Sequence, residues 1–103
     1  NTTANTLLSN AAASGLVFKI NQIVCANVNG TSAVNATVSI NNLAAGAGTN
    51  FPVISTISVP ASASVIAVDK TTAIYLMENS SIVVTSGTSS GITYTISYES
   101  IAA

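Results

Sequence analysis

Apolar and polar residues alternate along most of this chain, with the period of two that is typical of β-strands with one face in a core. Residues 34–41 show the pattern most clearly. Their Val, Ala and Ile side chains are predicted to point inward, and the Asn, Thr and Ser side chains between them outward. Residues 92–99 repeat the pattern, and the side chains expected to share one face there are Ile92, Tyr94, Ile96 and Tyr98.

Residues 16–28 predict a strand with a less regular pattern. One face is expected to carry Phe18, Ile20, Val24, Ala26 and Val28, and the other Lys19, Asn21 and Asn27. Because Ile23 and Cys25 place apolar groups on the second face as well, the strand is expected to be covered on both sides. Asn29 and Gly30 both tolerate positive φ, so we expect a tight turn there and a hairpin between residues 16–28 and 34–41.

Turn signals divide the rest of the chain into further short strands. The glycines of residues 42–50 predict a surface loop, and Pro60 is expected to end a strand because it lacks the amide hydrogen that pairing needs. The remaining strands are predicted at residues 53–59, 65–68, 74–76 and 82–85, with turns at 60–63, 69–72 and 78–80 and a Gly/Ser loop at 87–91.

This spacing predicts an all-β fold. No segment resembles the crossover helix that a parallel sheet requires, so we expect an antiparallel β-sandwich, jelly-roll-like, with roughly seven to eight short strands. Residues 15–103 are expected to form it as a single domain. Residues 1–14 are rich in Asn, Thr, Ala and Ser and are expected to form an N-terminal arm that becomes ordered on a neighbour.

Charged residues are scarce. The formal net charge of the 103-residue chain is −1, there is no histidine, and the charged residues are Lys19, Asp69, Lys70, Glu78 and Glu99. A soluble domain usually has about 25% charged residues, and monomers stay dispersed partly through their net charge. A neutral, hydroxyl-rich β surface is therefore more typical of a building block whose edges and apolar area are covered by neighbours than of a free enzyme.

The residues offer little catalytic or ligand-binding chemistry. One cysteine without histidine provides no zinc site, and the acidic residues are not clustered as a calcium loop requires. Asp69, Glu78 and Glu99 are the only candidates for general acid–base catalysis, and we interpret them as structural or solvent-facing groups. Cys25 lies in an apolar run and is predicted to be an inert core residue. We therefore expect no enzyme, no metal, no cofactor and no small-molecule substrate.

Two further classes of partner are not expected. Two basic residues are too few to neutralise a nucleic-acid backbone. The apolar runs are far shorter than the roughly 20 residues of a membrane-spanning helix, although 49% of the chain is hydrophobic. A sugar remains an alternative, because Tyr75, Tyr94 and Tyr98 could stack on one. The spacing of Tyr94 and Tyr98 favours core or interface packing instead.

The second half of the chain carries a resemblance to a known class of proteins. Its strand and turn order reads ISVPASASVIAVDK, then IYLMENSSIVVTSG and a closing TYTISYESI. Over residues 16–101 this resembles small virion structural proteins of tailed bacteriophages, particularly of marine phages and cyanophages. Asn79-Ser80 departs from the Gly-Asp turn that is more usual there. The resemblance implies a head-decoration, cement or neck accessory role and no enzymatic residues.

We therefore expect a structural subunit on the outer surface of a phage head or neck, binding copies of itself as a homotrimer or other small ring, and major capsid or neck proteins. The segments expected to reach a neighbour contain Leu7 and Leu8, in the arm, and Phe51, after the glycine-rich loop. Two alternatives remain. One is a neck or tail accessory subunit of the same phage class. The other is a secreted surface protein, either a pilus or S-layer subunit or a sugar-binding adhesin.

Overall fold

The protein is an antiparallel β-sandwich. A computed structural model describes residues 5–69, 74–87 and 91–102 and, within them, eight strands and no helix. The strands are β1 (Asn5–Asn10), β2 (Leu16–Asn27), β3 (Val34–Asn41), β4 (Asn50–Val59), β5 (Ser64–Val68), β6 (Ile74–Leu76), β7 (Ser80–Ser86) and β8 (Ile92–Ala102). The expected all-β sandwich is confirmed.

The strands form two sheets. Sheet 1 has the order β1-β7-β3-β4. In sheet 2, β8 runs along one side of β2, while β5 and β6 lie end to end along its other side. Consecutive strands therefore cross between the sheets at several points, and the predicted hairpin of β2 with β3 is wrong. Asn29 does form a local turn, accepting the backbone N–H groups of Thr31 and Ser32 at its Oδ1, but β3 then continues into the other sheet.

A β-bulge at Asn21 sets the faces of β2. Ile20 pairs with Tyr98 of β8, but the next paired residue, Gln22, pairs with the adjacent Ser97. The unpaired residue shifts the alternation by one position. Phe18 and Ile20 before the bulge and Ile23 and Cys25 after it consequently all face the same core. The predicted grouping of Phe18 and Ile20 with Val24, Ala26 and Val28 was therefore wrong, and so was the expectation of a strand covered on both sides.

Both sheets contribute to one core. Side chains that are entirely or almost entirely buried come from β2, β3 and β7 and from single positions elsewhere; they include Ile20, Ile23, Cys25, Val34, Ala36, Val38, Val59, Val68, Leu76, Ile82 and Val84. Full burial of each Val, Leu or Ile side chain among them stabilises the fold by about 1.5–3 kcal/mol. The predictions of Cys25 as a core residue and of Val34, Ala36 and Val38 as inward residues are confirmed.

Each of the first three strands ends in a buried asparagine. The side-chain amide of each forms hydrogen bonds to the backbone of the following loop or of a neighbouring strand. Asn10 Nδ2 donates to the carbonyl oxygens of Leu16 and Leu76 at 2.9 and 3.0 Å. Asn27 Nδ2 donates to those of Ser32 and Val59 at 3.0 and 2.9 Å. Buried amides are tolerated because their hydrogen bonds are made. They fix these strand ends to the neighbouring loops and strands.

Asn41 closes the third of these ends. Its Nδ2 donates to Gly46 O and Asn50 Oδ1, and its Oδ1 accepts from the N–H groups of Leu43 and Gly48. Residues 42–49 thereby fold back over the outer face of sheet 1, where Ser81 Oγ donates to Leu43 O at 2.8 Å. Ser39 and Asn41, expected to face outward into polar surroundings, are buried.

Gly46 lets this loop approach the sheet closely. Its φ is +75°, in the left-handed region, and a Cβ at this position would lie 2.5 Å from Thr6 Oγ1 and 3.5 Å from Val83 Cγ2. The loop thus covers β1 and β7 of its own chain. This explains why Val83 is buried although it faces away from the core.

Residues 5–10 belong to the sandwich rather than to an arm. They form β1, which pairs antiparallel with β7 from Asn5 opposite Val84 to Asn10 opposite Ser80. β1 is the strand that the apolar pattern missed, because Leu7 and Leu8 are its only large apolar side chains. Residues 1–4 of the expected arm lie outside the described part of the chain.

Some of the predicted turns are confirmed, and others fall largely outside the described residues. β4 ends at Val59, directly before Pro60, and a turn separates β6 from β7 at Glu78 and Asn79. Most of the turn predicted at residues 69–72 and of the loop predicted at 87–91 falls on residues 70–73 and 88–90, outside the described residues.

Candidate assembly surface

The predicted interface residues have different surroundings. Leu7 and Leu8 are half-buried and pack against the core of their own chain, because a register shift between Thr6 and Leu8 interrupts their alternation. Phe51 is 56% exposed near the start of β4. The two leucines therefore already have packing partners within their own chain. Of the three residues predicted to contact a neighbouring subunit, Phe51 is the one with a largely exposed side chain.

Large apolar side chains are also exposed at one end of sheet 2, which we call the open end. It consists of residues 16–19 of β2, β6 with Met77, and residues 98–102 of β8. Tyr98 is 44% exposed, and its ring lies 5.0 Å, between centroids, from that of the half-buried Phe18. On the opposite face of the same end, Tyr75 and Ile101 are 57% and 41% exposed. Apolar surface therefore lies on both faces of the open end.

The outer face of sheet 2 continues this apolar surface. Val17 lies opposite Ile101, and Val24 lies opposite the exposed Ile66 of β5. Two charged groups of the described residues lie on this face, Lys19 and Glu99, and they are directly opposite each other on β2 and β8. Their opposite charges nearly cancel, and the rest of the face presents alkyl, hydroxyl, phenol and amide groups, the amide being that of the exposed Gln22.

The sheet edges differ in how well they are protected. β4 contains Pro52 and two register shifts against β3, and Thr56 within it has a φ of 53°. β5 is short, and β1 and β6 span only six and three of the described residues. β8 is different, because all of its 11 residues pair in unbroken succession with β2, the bulge lying on the β2 side. Its other edge is long and regular.

Two carboxylates have structural partners. Glu78 Oε2 accepts the backbone N–H of Gly15 at 2.9 Å, and Glu99 Oε1 accepts Asn21 Nδ2 at 3.1 Å. Oδ1 of the same Asn21 is buried without a hydrogen-bond partner. Each of the two carboxylates thus accepts a hydrogen bond from its own chain. Within the described residues, no group of three or more His, Cys, Asp or Glu side chains is placed to hold a metal ion.

A hydroxyl-rich groove of about 280 Å³ lies beside the β3–β4 and β3–β7 pairings, lined by Asn35, Thr37, Thr56, Thr85, Ser86 and Gly87. The backbone N–H of Thr56 donates to Thr37 Oγ1 at 2.9 Å. A positive φ is unusual for a β-branched residue and concentrates at functional positions. From the neighbouring sheet, the Tyr94 hydroxyl donates to Thr85 O at 2.7 Å. Sequence reasoning missed this groove, because its residues come together only through strand pairing.

Cys25 is fully buried, and burial raises the pKa of its thiol from 9.0 to about 11. Burial likewise raises the pKa of the Tyr94 phenol. The thiolate is the reactive form of cysteine, so Cys25 is shielded both by its position and by its ionisation.

This burial predicts a pH dependence of stability. Because the folded pKa of Cys25 lies above the unfolded one, its contribution is fully present below pH 9 and is lost as the pH rises towards 11. The free energy of unfolding should fall by at most about 3 kcal/mol for this group. Urea titrations of the wild type and Cys25→Ala at a series of pH values measure the difference. A wild-type curve that declines no more steeply than that of Cys25→Ala would contradict the prediction.

No helix among the described residues is long and apolar enough to span a membrane. The chain matches no protein-family model, no curated protein and no solved structure.

Proposed function

We propose that this protein is a structural subunit of a larger particle, held there by copies of itself and by neighbouring proteins. In its most specific form, the proposal is a decoration or cement subunit on the outside of a tailed-phage head. The observation that carries it is the open end of sheet 2, where large apolar side chains are exposed on both faces of a chain that has almost no net charge. Neighbours that covered them would gain about 25 cal/mol for each Å² of apolar surface removed from water.

The proposed mechanism is mechanical. A subunit that binds the assembled shell but not its separated components stabilises the shell by mass action, as any ligand selective for one state does. Contacts made through apolar and hydroxyl groups are screened little by salt, since screening acts on charges. The subunit is therefore expected to remain attached across a wide range of ionic strength.

Labelling of intact particles tests the proposal. An antibody raised against the purified chain should label the outside of tailed-phage heads from the source of the sequence, and labelling should persist from low salt to about 1 M salt, at which only contacts between exposed charges are strongly screened. Phe51→Ser should weaken the binding of added protein to particles stripped of it, because it removes an exposed ring. Thr49→Ser, at an exposed position two residues away, is the matched control and should bind as the wild type does.

A secreted sugar-binding protein is the second candidate, and the groove at Thr56 favours it. Asn35, Thr37 and Thr85 line it, and amide and hydroxyl groups of the kind they carry hydrogen-bond readily to sugar hydroxyls. The exposed ring of Tyr75 lies on the other sheet, however, and cannot stack on a sugar in this groove. Two results together would favour this candidate over the first. The isolated chain would bind sugars on a glycan array and lose that binding in Thr37→Val, and the antibody would not label phage heads.

A further inference from the structure

The free edge of β8 lacks the features that usually block strand pairing. Proteins protect exposed edges with proline, bulges, short length or charged side chains. β8 contains no proline, runs for 11 residues without a bulge and carries one charge, Glu99. Within residues 5–69, 74–87 and 91–102, β2 is the only strand paired with it. Its residues 97–102 are all exposed.

The sequence of β8 is compatible with pairing to itself. In an antiparallel pair, residues directly opposite each other lie on the same face. A two-fold axis at Tyr98 therefore places Tyr98 opposite its own copy, Ser97 opposite Glu99, and Ile96 opposite Ser100. Glu99 does not meet a second carboxylate in this register. With a net charge of −1 per chain, two copies also approach without strong repulsion.

The aromatic residues at the open end favour this particular register. Tyr98 shares the inner face of β8 with Tyr94 and Ile96, and its ring contacts Phe18. Pairing about Tyr98 would bring the two copies of this ring pair together at the axis. Cross-strand aromatic pairs are among the more favourable in sheets, and the contact would cover a ring that is 44% exposed in the single chain.

We infer that the partner of the β8 edge is the β8 of a second copy, paired antiparallel about a two-fold axis at Tyr98, so that the two copies of sheet 2 become one continuous sheet. The inference rests on the proposed structural role and names the contact through which copies associate. A two-fold contact closes on itself. It yields a dimer, and a trimeric ring of the kind expected from the sequence would need a different surface.

Charge changes at Ser97 test the register. The dissociation constant of the dimer is measured by sedimentation equilibrium, and the fold of each variant by circular dichroism. Ser97→Glu places carboxylates opposite Glu99 at two symmetric positions and should weaken the dimer about tenfold or more. Ser97→Lys should bind at least as tightly as the wild type. Adding Glu99→Lys to Ser97→Glu should restore the affinity, and Ser64→Glu, exposed on β5, should leave it unchanged.

The outcomes separate this inference from the proposed function. The wild type could associate with an affinity that none of the substitutions at position 97 changes. That result would overturn the β8 contact and leave a structural subunit that assembles through another surface. A wild type that remains monomeric up to about 1 mM, a concentration at which even weak contacts form, and that fails to label particles would overturn both.

Discussion

Deleting Val24 should unfold the protein, whereas deleting Asn21 should leave it folded. Adjacent residues of a strand face opposite sides, so Ile23 and Cys25 cannot both reach the core once Val24 is removed. Both are fully buried in the wild type. Expelling Ile23 and burying a polar neighbour together cost more than about 5 kcal/mol, which is comparable to the whole stability of a small domain.

Deleting Asn21 is the matched control, since it removes a residue from the same strand. It removes the bulge but keeps Ile20 and Ile23 on the core side, because Gln22 then alternates regularly between them. The loss is one hydrogen bond to Glu99. Urea unfolding followed by circular dichroism should show a cooperative transition for this variant, within about 2 kcal/mol of the wild type, and none for the Val24 deletion. Equal stability of the two variants would contradict the position of the bulge.

Asn41→Ala should lower the free energy of unfolding by about 2–4 kcal/mol. The substitution removes all four hydrogen bonds of the side-chain amide and leaves the N–H groups of Leu43 and Gly48 without an acceptor inside a folded loop. Residues 42–49 should then detach from sheet 1 and expose Val83. Hydrogen exchange of the loop amides, together with urea unfolding, measures both effects.

Asn42→Ala provides the comparison. Asn42 is adjacent and exposed, and its Oδ1 accepts one backbone N–H, that of Thr49, at 2.8 Å. Its replacement should cost no more than about 1 kcal/mol and leave exchange of the Leu43 amide slow. If the two variants had equal stability, the loop would be held by something other than the Asn41 amide.

The positions of most strands could be predicted from the sequence. In β3 and β8, the period of two alone identifies the residues that face the core, although Ser39 and Asn41 on the other face of β3 are buried beneath residues 42–49. Cys25 could be assigned to the core from its apolar neighbours and the absence of any histidine. These features depend on local pattern, so no knowledge of strand pairing is needed to find them.

Strand pairing and the bulge could not be predicted in the same way. In β2, apolar residues lie on both faces of the strand, with Val24 and Ala26 on one face and Ile23 and Cys25 on the other. Only the partner strands decide which set is buried. Asn29-Gly30 signals a reversal of the chain, but the same signal serves a hairpin and a crossing between sheets. β1 was missed because its position on β7 depends on that sheet being formed.

Exposed surfaces that depend on strand pairing could not be predicted from the sequence either. Phe51 could be named from its place after a glycine-rich loop, but the free edge of β8 is a property of topology. The sequence of β8 shows an ordinary alternating strand, and nothing in it indicates that one of its sides has no paired strand among the described residues.

The strand-terminal asparagines have a consequence for the surroundings that the protein can tolerate. Asn10, Asn27 and Asn41 join their loops to the sheets through neutral amides. Amides do not gain or lose protons in ordinary buffers, and interactions without net charge are hardly weakened by dissolved ions. The hydrogen bonds of these three amides should therefore be equally stable in fresh water, in brine and in mild acid.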